Sequence, residues 1–288
     1  MTFSADEAFA PHLWALAHGR SMTLGPAGVL MGILNITPDS FSDGGELASI
    51  GDVVARARAM SEQGAGILDI GGESTRPGGD PVDAATEQAR VLPAIAAVRE
   101  ALPEAILSID TYRADTARKA VAAGAHIVND VWGLQREPDI AHVAAITGAG
   151  LCIMHTGRER EKRADVVDDQ FAFLETSLAI ARKAGVRDEQ IVLDPGFGFA
   201  KDPQENFALM ARFGELHGLG FPLLAGTSRK RFIGFATGRD AAERDTGTAA
   251  TTALLRAAGA AVFRVHDVAT NHDALAIADA MIAARTSA

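Results

Sequence analysis

Three polar side chains, Asp110, Asn129 and Asp194, each come directly after a short apolar run of the chain. An ionised carboxylate offers only hydrogen-bond acceptors, whereas a carboxamide offers both donors and acceptors. Together the three groups could hold the edge of a planar heterocycle that presents several N–H donors. Each residue alone is equally typical of a helix N-cap or a turn. The prediction therefore depends on the three lying on one rim.

A second set of side chains is cationic and suits an anion. Arg264 and His266 are two residues apart, so on a strand they face the same side. Arg76 lies in a loop framed by glycine and proline. Arginine can contact phosphate through two parallel hydrogen bonds, and histidine can add a charge-assisted donor. These residues indicate a phosphate site, with a surface arginine and a packed histidine as the alternative.

Lys230 lies in the basic segment Ser228-Arg-Lys-Arg231, which follows Gly226. Such a segment is most often the solvated start of a helix. It is also similar to the anion site that barrel enzymes build after their seventh strand. Both interpretations stay open on the residues alone.

Asn35 is the residue for which the sequence suggests a metal role. Mg²⁺ prefers oxygen ligands, usually keeps several waters and borrows ligands from substrate phosphates. One neutral amide oxygen is compatible with such a site but cannot hold the ion alone. Other motifs fail, because His155 and Cys152 lack partners at zinc-ligand spacing, and Gly196-Phe-Gly198 lacks the third glycine of a dinucleotide fingerprint.

These residues need a scaffold that brings the ends of many strands together. Eight short apolar runs alternate with helical patterns, as expected for parallel strands that are buried on both faces. The predicted strands span residues 28–34, 66–70, 105–109, 126–128, 151–154, 190–193, 222–225 and 261–265. Helices are predicted over residues 52–63, 83–99, 114–123, 171–184, 206–213 and 247–258, followed by an Ala-rich segment at 274–284. Polar residues after every strand are typical of a (β/α)8 barrel with its active site on the C-terminal rim.

No linker or shift in composition divides the chain, so we predict one domain overall. Residues 28–288 are expected to form the barrel. Residues 1–27 precede its first strand and are expected to pack on it as an N-terminal extension, with Trp14 and Leu24 covering the closed end.

Composition narrows the class of protein. Charged residues make up 22% of the 288 residues and hydrophobic ones 48%, which is ordinary for a globular enzyme. The formal net charge of -10 argues against a nucleic-acid surface. The single cysteine allows no intrachain disulfide, and neither a signal-peptide pattern nor a membrane-spanning apolar stretch is evident. We therefore expect a cytoplasmic location and no membrane partner.

Long ordered motifs then carry a family resemblance from Gly32 to the C-terminus. The most specific motifs are Met31-Gly-Ile-Leu-Asn-Ile-Thr-Pro-Asp-Ser-Phe-Ser-Asp-Gly-Gly45, Asp69-Ile-Gly-Gly-Glu-Ser-Thr-Arg-Pro-Gly78 and Leu193-Asp-Pro-Gly-Phe-Gly-Phe199. With Gly226-Thr-Ser-Arg-Lys230 and Arg264-Val-His-Asp267, the chain resembles the dihydropteroate synthase family. The resemblance implies a pterin-binding transferase of folate biosynthesis, a sulfonamide target. It would join 6-hydroxymethyl-7,8-dihydropterin diphosphate to 4-aminobenzoate and release diphosphate.

The resemblance also implies roles for individual residues. The pterin would be bound by Asp110, Asn129, Met154, Asp194, Lys230 and Arg264. Diphosphate would be bound by Asn35, Arg76, Arg264 and His266, with Mg²⁺ on Asn35. The aminobenzoate would be surrounded by Phe41, Thr75, Pro77, Phe199 and Ser228. The catalytic group would comprise Arg76, Asp110, Lys230, Arg264 and His266, in a homodimeric enzyme.

The implied mechanism is an ionisation. The bond to diphosphate breaks, leaving a cation at the pterin methylene that the neutral aniline amine attacks, so no paired nucleophile and base are needed. Mg²⁺ and the cationic side chains would stabilise the departing anion. Two alternatives remain. One is a corrinoid methyltransferase acting on methyltetrahydrofolate, against which the loop Thr75-Arg-Pro77 argues. The other is a catalytically silent pterin-binding paralogue, which should have lost a loop or diphosphate residue.

Overall fold

The computed structural model describes residues 7–36, 50–73 and 82–286 of the chain. Within them an antiparallel hairpin, β1 (His12–Ala15) and β2 (Ser21–Leu24), precedes eight parallel strands. The parallel strands are β3 (Val29–Asn35), β4 (Ala65–Gly71), β5 (Ile106–Asp110), β6 (Ile127–Asp130), β7 (Gly150–Met154), β8 (Ile191–Asp194), β9 (Leu224–Ala225) and β10 (Val262–Val265). Each overlaps one of the eight predicted strands.

The strands follow one another around the sheet in the order β8-β7-β6-β5-β4-β3-β10-β9. The sheet closes between β8 and β9 through a parallel bridge between Leu193 and Leu223. The Leu193 N–H also donates to the Pro222 carbonyl at 3.0 Å. The strands thus form a (β/α)8 barrel, which confirms the predicted fold class.

Helices follow the strands and surround the barrel. They are α1 (Ile50–Glu62), α2 (Ala84–Ala101), α3 (Ala114–Ala123), α4 (Asp139–Thr147), α5 (Val166–Ala184), α6 (Pro203–Ala211), α7 (Arg231–Thr237), α8 (Asp245–Ala257) and α9 (Val268–Thr286). The sequence did not predict α4, and α7 was considered only as a possible helix start, because both are too short to show a clear apolar period. No helix in the described ranges is long and apolar enough to span a membrane.

Side chains alternate along each strand, and this alternation sets what faces the barrel interior. Near the N-terminal ends of the strands, the interior side chains form one buried apolar layer. This layer comprises Met31, Ile67, Ile106, Ile127, Cys152, Val192, Leu224 and Val262. Two residues further along several strands the interior positions become polar. These polar positions are Asp69, Ser108, Asn129, Asp194 and Arg264. The barrel interior therefore changes from apolar to polar towards the C-terminal rim.

The hairpin packs against the apolar end of this interior. Trp14 is 1% exposed and Leu24 is fully buried, and both join the cluster formed by the apolar layer. The Trp14 indole N–H donates to the Gln190 carbonyl at 2.8 Å, just before β8 begins. The buried indole thus has its hydrogen bond, as a buried tryptophan requires.

Candidate active site

A cavity of about 840 Å³ opens at the C-terminal rim of the barrel. Every predicted site residue within the described ranges lines it. These residues are Asn35, Asp110, Asn129, Met154, Asp194, Phe199, Ser228, Lys230, Arg264 and His266. Phe41, Thr75, Arg76 and Pro77 lie outside the residues that the structure describes. Their roles stay predictions.

Strand register brings the polar residues together on one side of the cavity. Across β3 to β6, Asn35 pairs with Gly71, Gly71 with Asp110, and Asp110 with Asn129. Gly71 keeps the space between its neighbours open, since a Cβ there would lie 3.4 Å from Asn35 Oδ1 and 3.5 Å from Asp110 Cβ. On the opposite side Met154 pairs with Asp194.

The guanidinium of Arg264 is shared between two carboxylates. Its Nε donates to Asp69 Oδ2 at 2.6 Å, and its NH2 donates to Asp110 Oδ2 at 2.7 Å. Asn129 Nδ2 also donates to Asp69 Oδ2, at 3.2 Å. Asp69, which is fully buried, therefore links two predicted site residues, and the sequence analysis missed it. An acidic residue inside an otherwise apolar strand is the signal that could have found it.

The surroundings of Asp110 disfavour the ionised form of its carboxyl group. Burial raises its pKa to about 7, and Arg264 opposes this shift while the nearby Asp69 adds to it. Asp110 Oδ1, Asp69 Oδ1 and the Ser108 hydroxyl are buried and have no hydrogen-bond partner among the described residues. Leaving such a group unpaired costs about 1–3 kcal/mol. Of the three, Asp110 lines the cavity, where a hydrogen-bond donor of a ligand could pair with it.

Asp194 and Lys230 form a second charged region of the cavity. Asp194 Oδ1 accepts from the Gly196 N–H at 2.7 Å. Burial raises the pKa of Asp194 to about 6, against the opposing effects of the Gly196 N–H and Lys230. Burial also lowers the pKa of Lys230 to about 8, and its Nζ lies 4.1 Å from the centroid of the Phe199 ring.

His266 is oriented by its neighbour across the rim. The Ser228 hydroxyl lies 2.9 Å from His266 Nδ1, and its oxygen accepts from the His266 backbone N–H at 3.1 Å. His266 and Arg264 line the same cavity, as their two-residue spacing predicted. The cavity thus combines buried acceptors with cations.

The residues present limit the kind of metal site that could form here. Across the described ranges, no group of three or more His, Cys, Asp and Glu side chains could hold a metal ion. The Asn35 carboxamide lies at the cavity wall near Asp110. This single neutral oxygen fits a hard cation that brings water and phosphate ligands, and does not fit a cage built from protein alone.

Comparison with known proteins agrees with this geometry. Residues 31–266 match the family model described as Pterin binding enzyme. The dihydropteroate synthase of Bacillus subtilis (strain 168) is 46% identical over 240 residues, covering 83% of this chain and 84% of that relative. The chain belongs to the dihydropteroate synthase family.

Solved structures of the family share the whole barrel. The Xanthomonas albilineans dihydropteroate synthase with 4-aminobenzoic acid matches with a TM-score of 0.87 and 40% identity, covering 93% of this chain and 98% of that chain. The same enzyme in complex with 7,8-dihydropteroate matches with a TM-score of 0.84 and 38% identity, covering 93% and 99%. Membership of the dihydropteroate synthase family argues against the alternative of a corrinoid methyltransferase.

Proposed function

We propose that this chain catalyses the dihydropteroate synthase reaction in its rim cavity. The amine of 4-aminobenzoate displaces diphosphate from 6-hydroxymethyl-7,8-dihydropterin diphosphate. The observation that carries the proposal is the juxtaposition of buried carboxylates, Asp110 and Asp194, with partly buried cations, Lys230 and Arg264, around one cavity. Such a cavity suits a ligand that carries both N–H donors and an anionic group. The ligands of the two Xanthomonas albilineans structures support the choice of substrates.

The acceptors in this proposal bind the heterocycle. Asp194 and Asp110 accept from its N–H groups, Asn129 offers a donor or an acceptor, and the Lys230 ammonium donates to a ring acceptor. Met154, which is 2% exposed, supplies an apolar contact with the ring. The unpaired oxygen Asp110 Oδ1 then gains a partner, which removes the cost of leaving it unsatisfied in the cavity.

The cations stabilise the leaving group. The C–O bond breaks and its electron pair departs with diphosphate, while positive charge develops on the pterin methylene. Arg264 and His266 stabilise the anion, and Asp110 stabilises the developing cation. The amine lone pair then forms the C–N bond, and the resulting ammonium gives its proton to the released diphosphate or to water. A neutral aniline needs no base to activate it.

The same proposal includes Mg²⁺ as the cofactor. Asn35 would hold it at the cavity wall together with diphosphate oxygens and water. Bound there, Mg²⁺ supplies charge neutralisation to the leaving group.

The aminobenzoate would lie next to the cations and the aromatic ring at the rim. Phe199 is 7% exposed, and the Arg158 guanidinium lies 4.6 Å from its ring centroid on the cavity wall. Ser228, held against His266, lines the same cavity. Phe41, Thr75 and Pro77 would complete this part of the site, and Arg76 would add a cation for diphosphate.

We further propose a homodimer formed by the last helices and a cytoplasmic location. Apolar side chains are exposed on α8 and α9: Leu254 is 58% exposed and Ile277 is 73% exposed. The two helices are neighbours, joined by the hydrogen bond from the Thr252 hydroxyl to Asn271 Oδ1 at 2.7 Å, and exposed apolar side chains on adjoining helices suit an interface. The cytoplasmic proposal is supported by the lone cysteine, Cys152, which is buried and free.

Release of diphosphate tests the proposed function directly. Purified protein should release diphosphate from the pterin substrate in a manner that depends on 4-aminobenzoate, and a sulfonamide should compete with that second substrate. If the protein binds the pterin diphosphate and forms no product with 4-aminobenzoate, it is a silent pterin-binding paralogue and the proposal is wrong.

A further inference from the structure

Lys201 is a buried lysine on the cavity wall that has no role in the mechanism above. It is 9% exposed and lines the cavity. Its Nζ donates to the Gly196 carbonyl at 2.9 Å and lies 2.9 Å from His155 Nδ1. Burial lowers the pKa of Lys201 to about 7, with Asp194 and Asp169 opposing the shift, so the lysine carries its charge on the acid side of neutrality.

Lys201 contacts His155, and His155 in turn contacts Asp169. His155 is 1% exposed, and its Nε2 lies 3.0 Å from Asp169 Oδ2. Burial lowers the pKa of His155 to about 3, with the Lys201 ammonium adding to the effect, so the ring is neutral. His155 Nδ1 faces Lys201, and its Nε2 lies between Asp169 and the Arg160 NH2 group, which is 2.9 Å away. Arg160 forms an ion pair with Asp169 and so fixes the far end of this network of side chains.

Gly196 connects this network to the pterin site. Its N–H donates to Asp194 Oδ1 at 2.7 Å, and its carbonyl accepts from Lys201 at 2.9 Å. Its φ is +65°, and a Cβ there would lie 2.0 Å from the His155 carbonyl oxygen. The turn is therefore held in a left-handed conformation at a close backbone approach. One residue receives the lysine on one side and orients the carboxylate on the other.

We propose that Lys201 is a positioning residue for pterin binding: it holds Gly196 so that the Gly196 N–H orients Asp194, and its ammonium stabilises the ionised carboxylate. This inference rests on the proposed function, in which Asp194 accepts from the pterin N–H groups. The lysine acts through Asp194 and Gly196 and makes no contact with the reacting atoms.

Several charged or titratable groups face Asp194 and Lys201, and they determine how the pKa of Asp194 should respond when the lysine is substituted. Asp194 is faced by Lys201 after β8, Lys230 before α7, and Arg264 on β10, with the Cys152 thiol of β7 also nearby. Lys201 is faced in turn by Asp194, Asp169, Lys230 and Arg160, besides the His155 ring.

The direction of the expected effect follows from these charges. Burial raises the pKa of Asp194 to about 6, and the cations oppose the shift. Removing the Lys201 charge raises the pKa of Asp194 further. Since only the ionised carboxylate accepts from two N–H donors, pterin binding would then fail at a higher pH than in the wild type. Above that range, Asp194 is ionised with or without the lysine.

The decisive experiment compares Lys201→Met with the wild type in profiles of kcat/KM for the pterin diphosphate between about pH 5 and 9. Asp110 contributes a midpoint near pH 7 in both proteins. We expect the lower midpoint, which reports Asp194, to rise by about one pH unit, which is about a tenfold loss on that part of the limb. The loss should narrow above about pH 8, and the KM for 4-aminobenzoate should stay within about twofold. Lys201→Arg, which keeps the charge, should keep the wild-type midpoint.

Lys162 provides a matched control, because it also donates a hydrogen bond to the turn after β8. Its Nζ donates to the Ala200 carbonyl at 2.8 Å and pairs with Glu205, and its side chain is 31% exposed. Lys162→Met therefore removes a similar hydrogen bond to the turn without removing a charge that faces Asp194, and its acid limb should not move. If Lys201→Met fails to fold, Lys201→Gln, which keeps a donor without the charge, should show the same upward shift.

The outcomes are distinguishable. Equal losses at every pH, or a Lys201→Met profile that matches Lys162→Met, would show that the lysine only supports the turn and would overturn the inference. A midpoint that moves equally in Lys201→Arg and Lys201→Met would overturn it as well. If calorimetry shows that the wild type binds no pterin at any pH, the proposed function fails, and this inference fails with it.

Discussion

At the scale of single residues, the site depends on charges that are buried close to one another. Arg264 pairs with Asp69 and Asp110, so one cation serves two carboxylates. The second carboxylate raises the pKa of Asp110 beyond what burial does alone. In the empty site this arrangement costs stability, because a carboxyl group that ionises above its ordinary pKa is strained by its surroundings. The bound substrate would relieve part of that strain.

This strain gives Asp110 a measurable pH signature. Its folded pKa is about 7, whereas the unfolded value is about 3.9. Between these values the native state keeps a proton that the unfolded state has released, so rising pH lowers the free energy of unfolding. From pH 5 to 8 the wild type should therefore lose on the order of 2–3 kcal/mol relative to Asp110→Asn. Denaturant unfolding of both proteins measures this, and a difference that is constant with pH would contradict the assignment.

Asn35 should show its role through coupling between the metal and diphosphate. Mg²⁺ should bind the empty protein weakly and tighten diphosphate binding, by the same factor by which diphosphate tightens Mg²⁺ binding. Asn35→Ala should reduce that factor about tenfold and leave the affinity for a pterin without diphosphate unchanged, which is the internal control. Titration calorimetry with Mg²⁺ and with chelator measures the coupling. Equal affinity for diphosphate with Mg²⁺ and with chelator would contradict the proposed role of the metal.

Sequence alone predicted that the strand-end residues would share one rim, and they line one cavity, whereas it did not single out Asp69 or Lys201. Asp110, Asn129 and Asp194 stand at chain positions where polar side chains interrupt apolar runs, which is a local signal. Asp69 is 195 residues from its partner Arg264, and Lys201 is 46 residues from His155. Asp69 carries a local signal, an acidic residue in an apolar strand, but its pairing with Arg264 follows from barrel register. The contacts of Lys201 depend on a turn that leaves no local pattern.

At the scale of elements, buried parallel strands were the most predictable feature. They are continuous apolar runs of restricted length, and helices separate them. The helix starts were less predictable, because a cap precedes the apolar period. The Asp202 side chain accepts from the Glu205 N–H and caps α6, which begins at Pro203, before the predicted start at residue 206.

The turn after β8 should be the least substitutable element of the site. Gly196→Ala would place a methyl group against the His155 carbonyl, whereas at Gly185, also left-handed at φ +89°, a Cβ would meet no atom of the described residues within 4 Å. Gly185→Ala should therefore cost only the conformational strain, about 1–2 kcal/mol. Gly196→Ala should cost at least about 2 kcal/mol more and should weaken pterin binding. Denaturant unfolding and calorimetry test this pair, and equal costs would mean that the close approach is easily relaxed.

At the scale of the whole molecule, the charge distribution favours anionic substrates. The chain has a formal net charge of -10. Its cavity is nevertheless lined by many cations, which are Arg158, Lys201, Arg229, Lys230, Arg231, Arg244 and Arg264. A positive cleft in an acidic protein attracts anions locally while the outer surface repels them, so the association rate of the diphosphate substrate should fall as salt rises.

The proposed dimer can be tested on the exposed apolar side chains of the last helices. Leu254→Glu and Ile277→Glu should produce a monomer, because each would bury a charge in the interface. Ile146→Glu is the matched control, since Ile146 is 62% exposed on α4, outside the proposed surface. Light scattering at micromolar concentration measures the mass. A monomeric mass for the wild-type protein would contradict the proposed dimer.

The hairpin under the barrel has a consequence for proton exchange. Trp14, Leu24 and the apolar layer above them separate the polar rim from the opposite end of the barrel. Among the described residues this apolar layer blocks the opposite end, so protons bound to Asp110 and Asp194 exchange with bulk water through the mouth that the substrates enter. Once that mouth is filled, the protonation states present at binding are trapped through the chemical step. The pH profile of kcat should accordingly be flatter than that of kcat/KM, and two profiles with the same limbs would reveal a second route for protons.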